Sequence, residues 1–336
     1  MKKLFFSLVA AMIAATVTYA QSSMLATLSH EGEISTYYGA SALREAHTAA
    51  VNGDVITLSG GAFNAVDITK TVTIRGAGMA VDNTAQTEPT ILTGDFNISI
   101  AEDATGHLTI EGIYHNHTVT ITSTLKNATF LKDRFSKITY SNSVVVQNLT
   151  MIHCRVANEI KLNNNSSLSC VNCVIQNPYM YNSTSAEYLN SIVVKINDSY
   201  CDYLAYSQFK NCILVAKYSS YSNYLNSDCV AYNCIAMGFS PSNMFKNIPN
   251  TTNSVKEYTD VFKTYIGTYN DDENFELTDV AKEAYKGIDG TEVGIYGGNM
   301  PFSTTPTNPQ ITKCNVAAKS TADGKLSVDI TVNGAE

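Results

Sequence analysis

The 336-residue sequence predicts an all-β fold, a single-stranded right-handed parallel β-helix that winds about 21 residues into each coil. Three observations point to this class. An asparagine recurs at a nearly fixed interval, apolar residues flank it with period 2, and the composition suits short strands joined by polar turns. The chain holds 20 Tyr, 12 Phe and no Trp and is only 15% charged, which disfavours both a disordered chain and a coiled coil.

The recurring residues are Asn127, Asn148, Asn172, Asn190, Asn211 and Asn233, separated by 21, 24, 18, 21 and 22 residues. One position after them stand Ala128, Leu149, Cys173, Ser191, Cys212 and Cys234, and three positions after them Phe130, Met151, Ile175, Val193, Leu214 and Ala236. Leu125, Val146, Cys170, Tyr188 and Phe209 stand two positions before. Residues two apart share one face of a strand, so these sets predict a stacked interior. Asparagine tolerates left-handed backbone, and its amide both donates and accepts. Amides on coils about 4.8 Å apart are therefore expected to form a structural ladder along the axis. Leucine-rich repeats share such a period, but the leucines they need before the asparagine are missing; a propeller needs about 40 residues per blade.

The remaining elements follow in order. Met1, Lys2, Lys3 and the apolar run to Val17, with small residues up to Ala20, read as a signal peptide over 1–20. Its removal leaves 20 basic and 30 acidic residues, a balance that disfavours nucleic acid as a partner, and no later segment is apolar enough for a membrane span. The expected location is extracellular, on the cell surface or in the periplasm. The β-helix is expected over 21–302, with a cap helix near 40–51 in which Ser41 is the N-cap and Gly53 the stop. A short helix is expected over 280–285 and a closing coil over 289–298. Residues 303–336 read as a Ser/Thr/Pro linker and a β-hairpin tail turning at Asp323-Gly324.

The stretch from Ala50 through Asp54-Val55-Ile56-Thr57-Leu58, then Thr71-Val72-Thr73-Ile74-Arg75-Gly76, resembles the opening coils of pectate-lyase-like right-handed β-helix proteins. The Asn-Cys steps at 172–173, 211–212 and 233–234 resemble ladder coils of the same superfamily. The resemblance implies fold more than activity, since that superfold hosts lyases, hydrolases and adhesins. In its lyases a basic residue removes a proton beside a neutralised carboxylate, so Arg134, Arg155, Asp133 and Glu159 are where catalysis would be sought, with calcium as a cofactor only in that case. The motifs of its polygalacturonase-like members are absent from the ladder coils, and Asp271-Asp272 falls outside the ladder in a loop.

The eight cysteines all fall at or after Cys154, and the repeat places several at small interior positions, where free thiols are expected, with disulfides and a Cys170-x-x-Cys173 metal site as alternatives. His115 and His117, with His107 or His153, are a weaker metal candidate beside the reading as ordinary turn histidines. Tyr200 and Tyr203 recur as Tyr221 and Tyr224 at a spacing of 21, with Asp202 beside them. Stacked tyrosines with polar neighbours suit a sugar, though stacking also stabilises sheets. The functional expectation is an exported, non-enzymatic β-helix that binds polysaccharide or a cell-surface glycan through a strand face; the alternatives are a polysaccharide lyase or glycoside hydrolase, and a structural spacer or adhesin.

Overall fold

The computed structural model describes residues 24–81, 87–141, 143–180, 184–196, 206–216, 229–238, 252–255 and 257–333. The expected signal peptide lies outside them. The chain is an all-β parallel β-solenoid of about seven turns with about 21 residues per coil. Two long sheets run its length: an 11-stranded one that includes Val55–Leu58, Leu125–Leu131, Ser167–Val171 and Val230–Tyr232, and a 12-stranded one that includes Thr90–Thr93, Arg134–Tyr140, Arg155–Leu162 and Ile235–Met237. Coil-to-coil pairing is parallel throughout both stacks. At the N-terminal end Leu25–His30 pairs antiparallel with Glu33–Tyr38 and with Val55–Leu58, and this hairpin closes the first sheet. The cap helix is Ala42–Ala49, which buries Ala42, Leu43 and Ala46 over the open first coil. Ser41 does stand at its N-cap, but its side chain makes no capping hydrogen bond.

The residues that the repeat predicts to be interior are interior, but they stack differently: Cys170 aligns with Met151 and Phe130 in the first sheet, and Ile175 aligns with Val156 in the second. Leu125, Val146, Cys170, Tyr188 and Phe209 are buried, as are Phe130, Met151, Ile175, Val193, Leu214 and Ala236. Tyr188 stacks on Phe209 of the next coil with ring centroids 5.0 Å apart. Six described cysteines, Cys154, Cys170, Cys173, Cys212, Cys229 and Cys234, are buried thiols outside any disulfide, and Cys314 is an exposed one.

The six asparagines all have left-handed backbone, but they fall into two registers. Strand pairing aligns Leu131, Ile152, Val171, Leu189, Lys210 and Tyr232, so the next residue of each coil, Lys132, His153, Asn172, Asn190, Asn211 and Asn233, is the true corner series, with φ between 46° and 55°. Asn127 and Asn148 instead sit five residues earlier, at irregular positions inside their strands, where Asn148 Nδ2 donates to Asn127 Oδ1 at 3.0 Å. That is the one amide-to-amide ladder bond of the set among the described residues. Asparagine satisfies either left-handed position equally well, which is why a search for the residue alone merges them.

Immediately after each corner comes an inward-facing slot, held by Asp133, Cys154, Cys173, Ser191, Cys212 and Cys234, all buried. Its side chain accepts the backbone N–H of the preceding coil. Cys154 N donates to Cys173 Sγ at 3.3 Å, Cys173 N to Ser191 Oγ at 3.1 Å and Cys212 N to Cys234 Sγ at 3.4 Å. The inner ladder of the corner is thus made by a carboxyl, thiols and a hydroxyl.

The corner side chains do something else: they hold the C-terminal part of the chain. Residues 257–302 do not form a further coil at 289–298. They make a strap whose short helices, Tyr258–Val261 and Asp279–Ala284, and aromatic residues Phe262, Tyr265, Phe275 and Phe302 bury the outer face of the second sheet, including Val174, Ile192, Ile213 and Ile235. From Lys286 the strap returns along the corner. Asn233 Nδ2 donates to Lys286 O at 3.2 Å, Ile288 N donates to Asn211 Oδ1 at 2.8 Å, and Asn172 Nδ2 donates to Ile295 O at 2.7 Å. Gly298, at φ +79°, lies so close to the Asn190 amide that a Cβ there would overlap it. His153 Nε2 meets Met300 O at 2.9 Å and Lys132 Nζ donates to Thr305 O at 2.7 Å. Asn308 and Gln310 then bond the carbonyls of Gly76 and Ala77, near the other end of the solenoid. The tail pairs Gln310–Val316 antiparallel with Val328–Asn333, and beyond Gln310 it is exposed. Among the described residues no helix is long and apolar enough to cross a membrane.

Candidate functional site

On the outer face of the second sheet, strand register aligns Ile91, Tyr114, Arg134, Arg155, Val174 and Ile192 in one column. The strap covers the aliphatic end of this column. Its tip, around Asp271 and Phe275, reaches the two arginines, so the column changes from apolar to charged where the cover ends.

Arg134 is 7% exposed and saturated with partners. Its Nε donates to Asp271 Oδ1 and its Nη2 pairs with Asp271 Oδ2, both at 2.9 Å, a bidentate fork. Its Nη1 donates to Asn116 Oδ1 at 3.0 Å, and the guanidinium lies 4.7 Å from the centroid of the Tyr114 ring. Asp271 also accepts from Tyr114 OH at 3.2 Å and Tyr269 OH at 3.0 Å. Burial pushes the Tyr269 hydroxyl up to about 12, and it raises that of Tyr114 as well, so both phenols stay protonated donors. Arg155, also 7% exposed, has a different environment. Its Nη1 donates to Asp271 O at 2.8 Å, and its guanidinium lies 5.1 Å from the Phe302 ring and 5.9 Å from that of Phe275.

Beside this pair opens a cavity of about 410 Å³. Met79, Val81, Pro89 and Ile91 form an apolar wall, and Tyr114, Arg134, Arg155, Asp272 and Thr304 supply polar groups. The volume falls within the range of small-ligand sites, which are commonly apolar with a few fixed polar groups. Rigid strands carry Tyr114 and both arginines, so their positions are set before any ligand arrives.

Of the four residues that the lyase reading groups together, the structure unites only Arg134 and Arg155. Asp133 faces the opposite side of the sheet: it is fully buried in the solenoid interior and accepts from Ile113 N at 2.8 Å and Leu131 N at 3.2 Å. Adjacent residues on a strand point to opposite faces, so Asp133 cannot join Arg134 in one cleft. Glu159 pairs with Lys137 at 2.9 Å and does not line the cavity. With Asp271 fully engaged by Arg134 and two tyrosines, Asp272 is the one cavity carboxylate among the described residues without such ties. A single free carboxylate does not make the acid and base pair of glycoside hydrolysis.

Of the candidate histidines, His115 and His117 are neighbours, with ring centroids 6.0 Å apart, while His107 and His153 are engaged elsewhere. His115 is buried, with Nε2 2.9 Å from Gly94 O and its ring 4.8 Å from Phe96, and its pKa is lowered chiefly by burial. His107 pairs with Thr129 Oγ1, and His153 with the strap. No cluster of three potential metal ligands occurs among the described residues. Tyr200, Tyr203, Tyr221, Tyr224 and Asp202 lie outside the described residues.

Comparison with family models, curated proteins and solved structures returned no match.

The site residues that sequence reasoning passed over are Asp271, Asp272 and Tyr114. The Asp-Asp pair was visible, but nothing in the sequence carries a loop residue to a strand 137 positions away.

Proposed function

We propose that this protein is an exported, non-catalytic solenoid, divergent within the pectate-lyase-like β-helix proteins, that binds saccharide at the cavity beside Arg134 and Arg155. The observation that carries the reading is the cavity's two-sided lining on a rigid strand face. The C–H surface of a sugar ring packs against apolar side chains such as Ile91 and Pro89, while its hydroxyls need donors and acceptors of the kind offered by Tyr114, Asp272 and Thr304. The saturation of Arg134 and Asp271 by one another favours binding over proton transfer.

The test is a glycan array followed by calorimetry on the full chain, with assays for new reducing ends and for unsaturated products alongside. Saccharide binding without turnover is expected. Asp272→Ala and Ile91→Ala should each weaken it several-fold while leaving the melting temperature within a few degrees of wild type. Binding unaffected by both substitutions would remove the cavity from the proposal, and product formation would replace it with the enzymatic alternative.

A further inference from the structure

Arg155 is a buried cation without a counter-ion. Arg134, its neighbour on the adjacent coil, has a bidentate carboxylate partner in Asp271. Among the described residues no carboxylate oxygen lies within 4.0 Å of Arg155, although Asp272 lines the same cavity. The Asp271 contact is to the backbone carbonyl, because that residue's carboxylate is turned to Arg134. The Nε of Arg155 is buried and has no hydrogen-bond partner. Two aromatic rings cover the guanidinium, and they offset only part of the loss of water that burial imposes. Buried ionised groups are ordinarily paired, and an arginine's planar fork suits a carboxylate or a sulfate above other partners.

We propose that the ligand of this cavity is an anionic saccharide whose carboxylate or sulfate group completes the coordination of Arg155, a proposal that rests on the saccharide reading above. Arg134 is the positioning member of the pair: with its charge met by Asp271, it holds the strap tip and the Tyr114 ring in place. Arg155 is the recognition member, and its fork meets the anion from the cavity floor. The sugar body then lies along the apolar wall at Ile91 and Pro89, with Asp272 restricted to hydroxyl contacts, since a carboxylate beside it would be repelled. Selectivity follows, because a neutral sugar brings no counter-charge to the Arg155 guanidinium.

The experiment is calorimetric titration of the full chain with three probes of equal length: an oligoglucuronate, its carboxyl-reduced neutral counterpart, and a sulfated neutral oligosaccharide. At low salt an acidic probe should bind about ten- to a hundred-fold more tightly than the neutral one, the effect of one charge-assisted contact, and the advantage should shrink as salt is added. The tighter of the carboxylate and sulfate arms identifies the anion. Arg155→Met should abolish the preference, while Arg155→Lys should keep part of it and lose the tightest binding. A neutral probe bound as well as both acidic ones, or a preference that survives in Arg155→Met, overturns this inference and leaves the saccharide reading standing. Failure of all three probes, together with a blank glycan array, overturns both. The preference and salt dependence of the wild-type protein decide the matter even if Arg155→Met does not fold.

Discussion

Asp133 occupies a slot that other coils fill with Cys154, Cys173, Ser191, Cys212 and Cys234, and replacing it with Ser tests the inner ladder directly. In the wild-type protein its carboxyl is fully buried and accepts from Ile113 N at 2.8 Å and Leu131 N at 3.2 Å. Burial, with a smaller push from Glu111, holds its pKa well above the ordinary carboxylate value of 3.8. A raised folded pKa means that the unfolded chain ionises first as pH climbs. Stability from this group is therefore complete below about pH 4 and falls as pH rises towards the folded pKa, with a limiting slope of about 1.4 kcal/mol per pH unit. Asp133→Ala removes the acceptor for two buried N–H groups and should cost about 2 to 5 kcal/mol at pH 4. In Asp133→Ser the hydroxyl can take the place that Ser191 has, accepting from the preceding coil at 3.1 Å and donating to Leu189 O at 2.9 Å. That variant should gain on wild type as pH rises above about 4, until the folded carboxyl itself ionises. Urea denaturation of both proteins from pH 4 to pH 8 gives the comparison. Parallel pH profiles for wild type and Asp133→Ser would refute the assignment of a forced-neutral carboxyl to this slot.

Asn211→Leu should destabilise by about 1 to 3 kcal/mol, because it strands Ile288 N and places a branched residue at φ +55°, and limited proteolysis should cut the strap near 288 more readily; unchanged melts and cleavage would exclude the corner as its anchor. Phe275→Ala removes a ring that is 1% exposed and lies 4.9 Å from Tyr265, at an expected cost of about 3 to 5 kcal/mol in urea unfolding; a loss below about 1 kcal/mol would mean that the strap contributes no outer core. Reductant should leave the melting temperature almost unmoved, since the six described interior cysteines are in no disulfide; a large drop accompanied by linked cysteines in mass spectrometry would reverse that.

The coil was legible because two independent constraints mark it. Inward residues alternate along each strand, and a left-handed corner favours few side chains, so Phe130, Met151 and Ile175 could be assigned to the core from spacing alone. Register was less legible. Lys132 and His153 hold the same left-handed corner as Asn172 without being asparagine, while Asn127 and Asn148 hold a different left-handed position, so residue identity misled where backbone conformation decides. The strap left no periodic mark, because along the corner it binds through its own carbonyls and N–H groups, which any residue supplies. The arginine pair could be read from the repeat, since Arg134 and Arg155 are register partners. The carboxylate that answers one of them, and the lack of one for the other, depend on where a distant loop lands.

The strap also changes how the molecule comes apart. A bare solenoid is a stack in which each coil touches only its neighbours, so ends can fray one coil at a time and stability adds along a line. Here one continuous segment bonds to Asn233, Asn211, Asn172, His153 and Lys132 in turn and finishes on Gly76. Losing the last coil frees the segment's first attachment and loosens its grip on the coils beyond. Distant coils therefore share one cooperative transition, and a break at either end is felt along the whole axis.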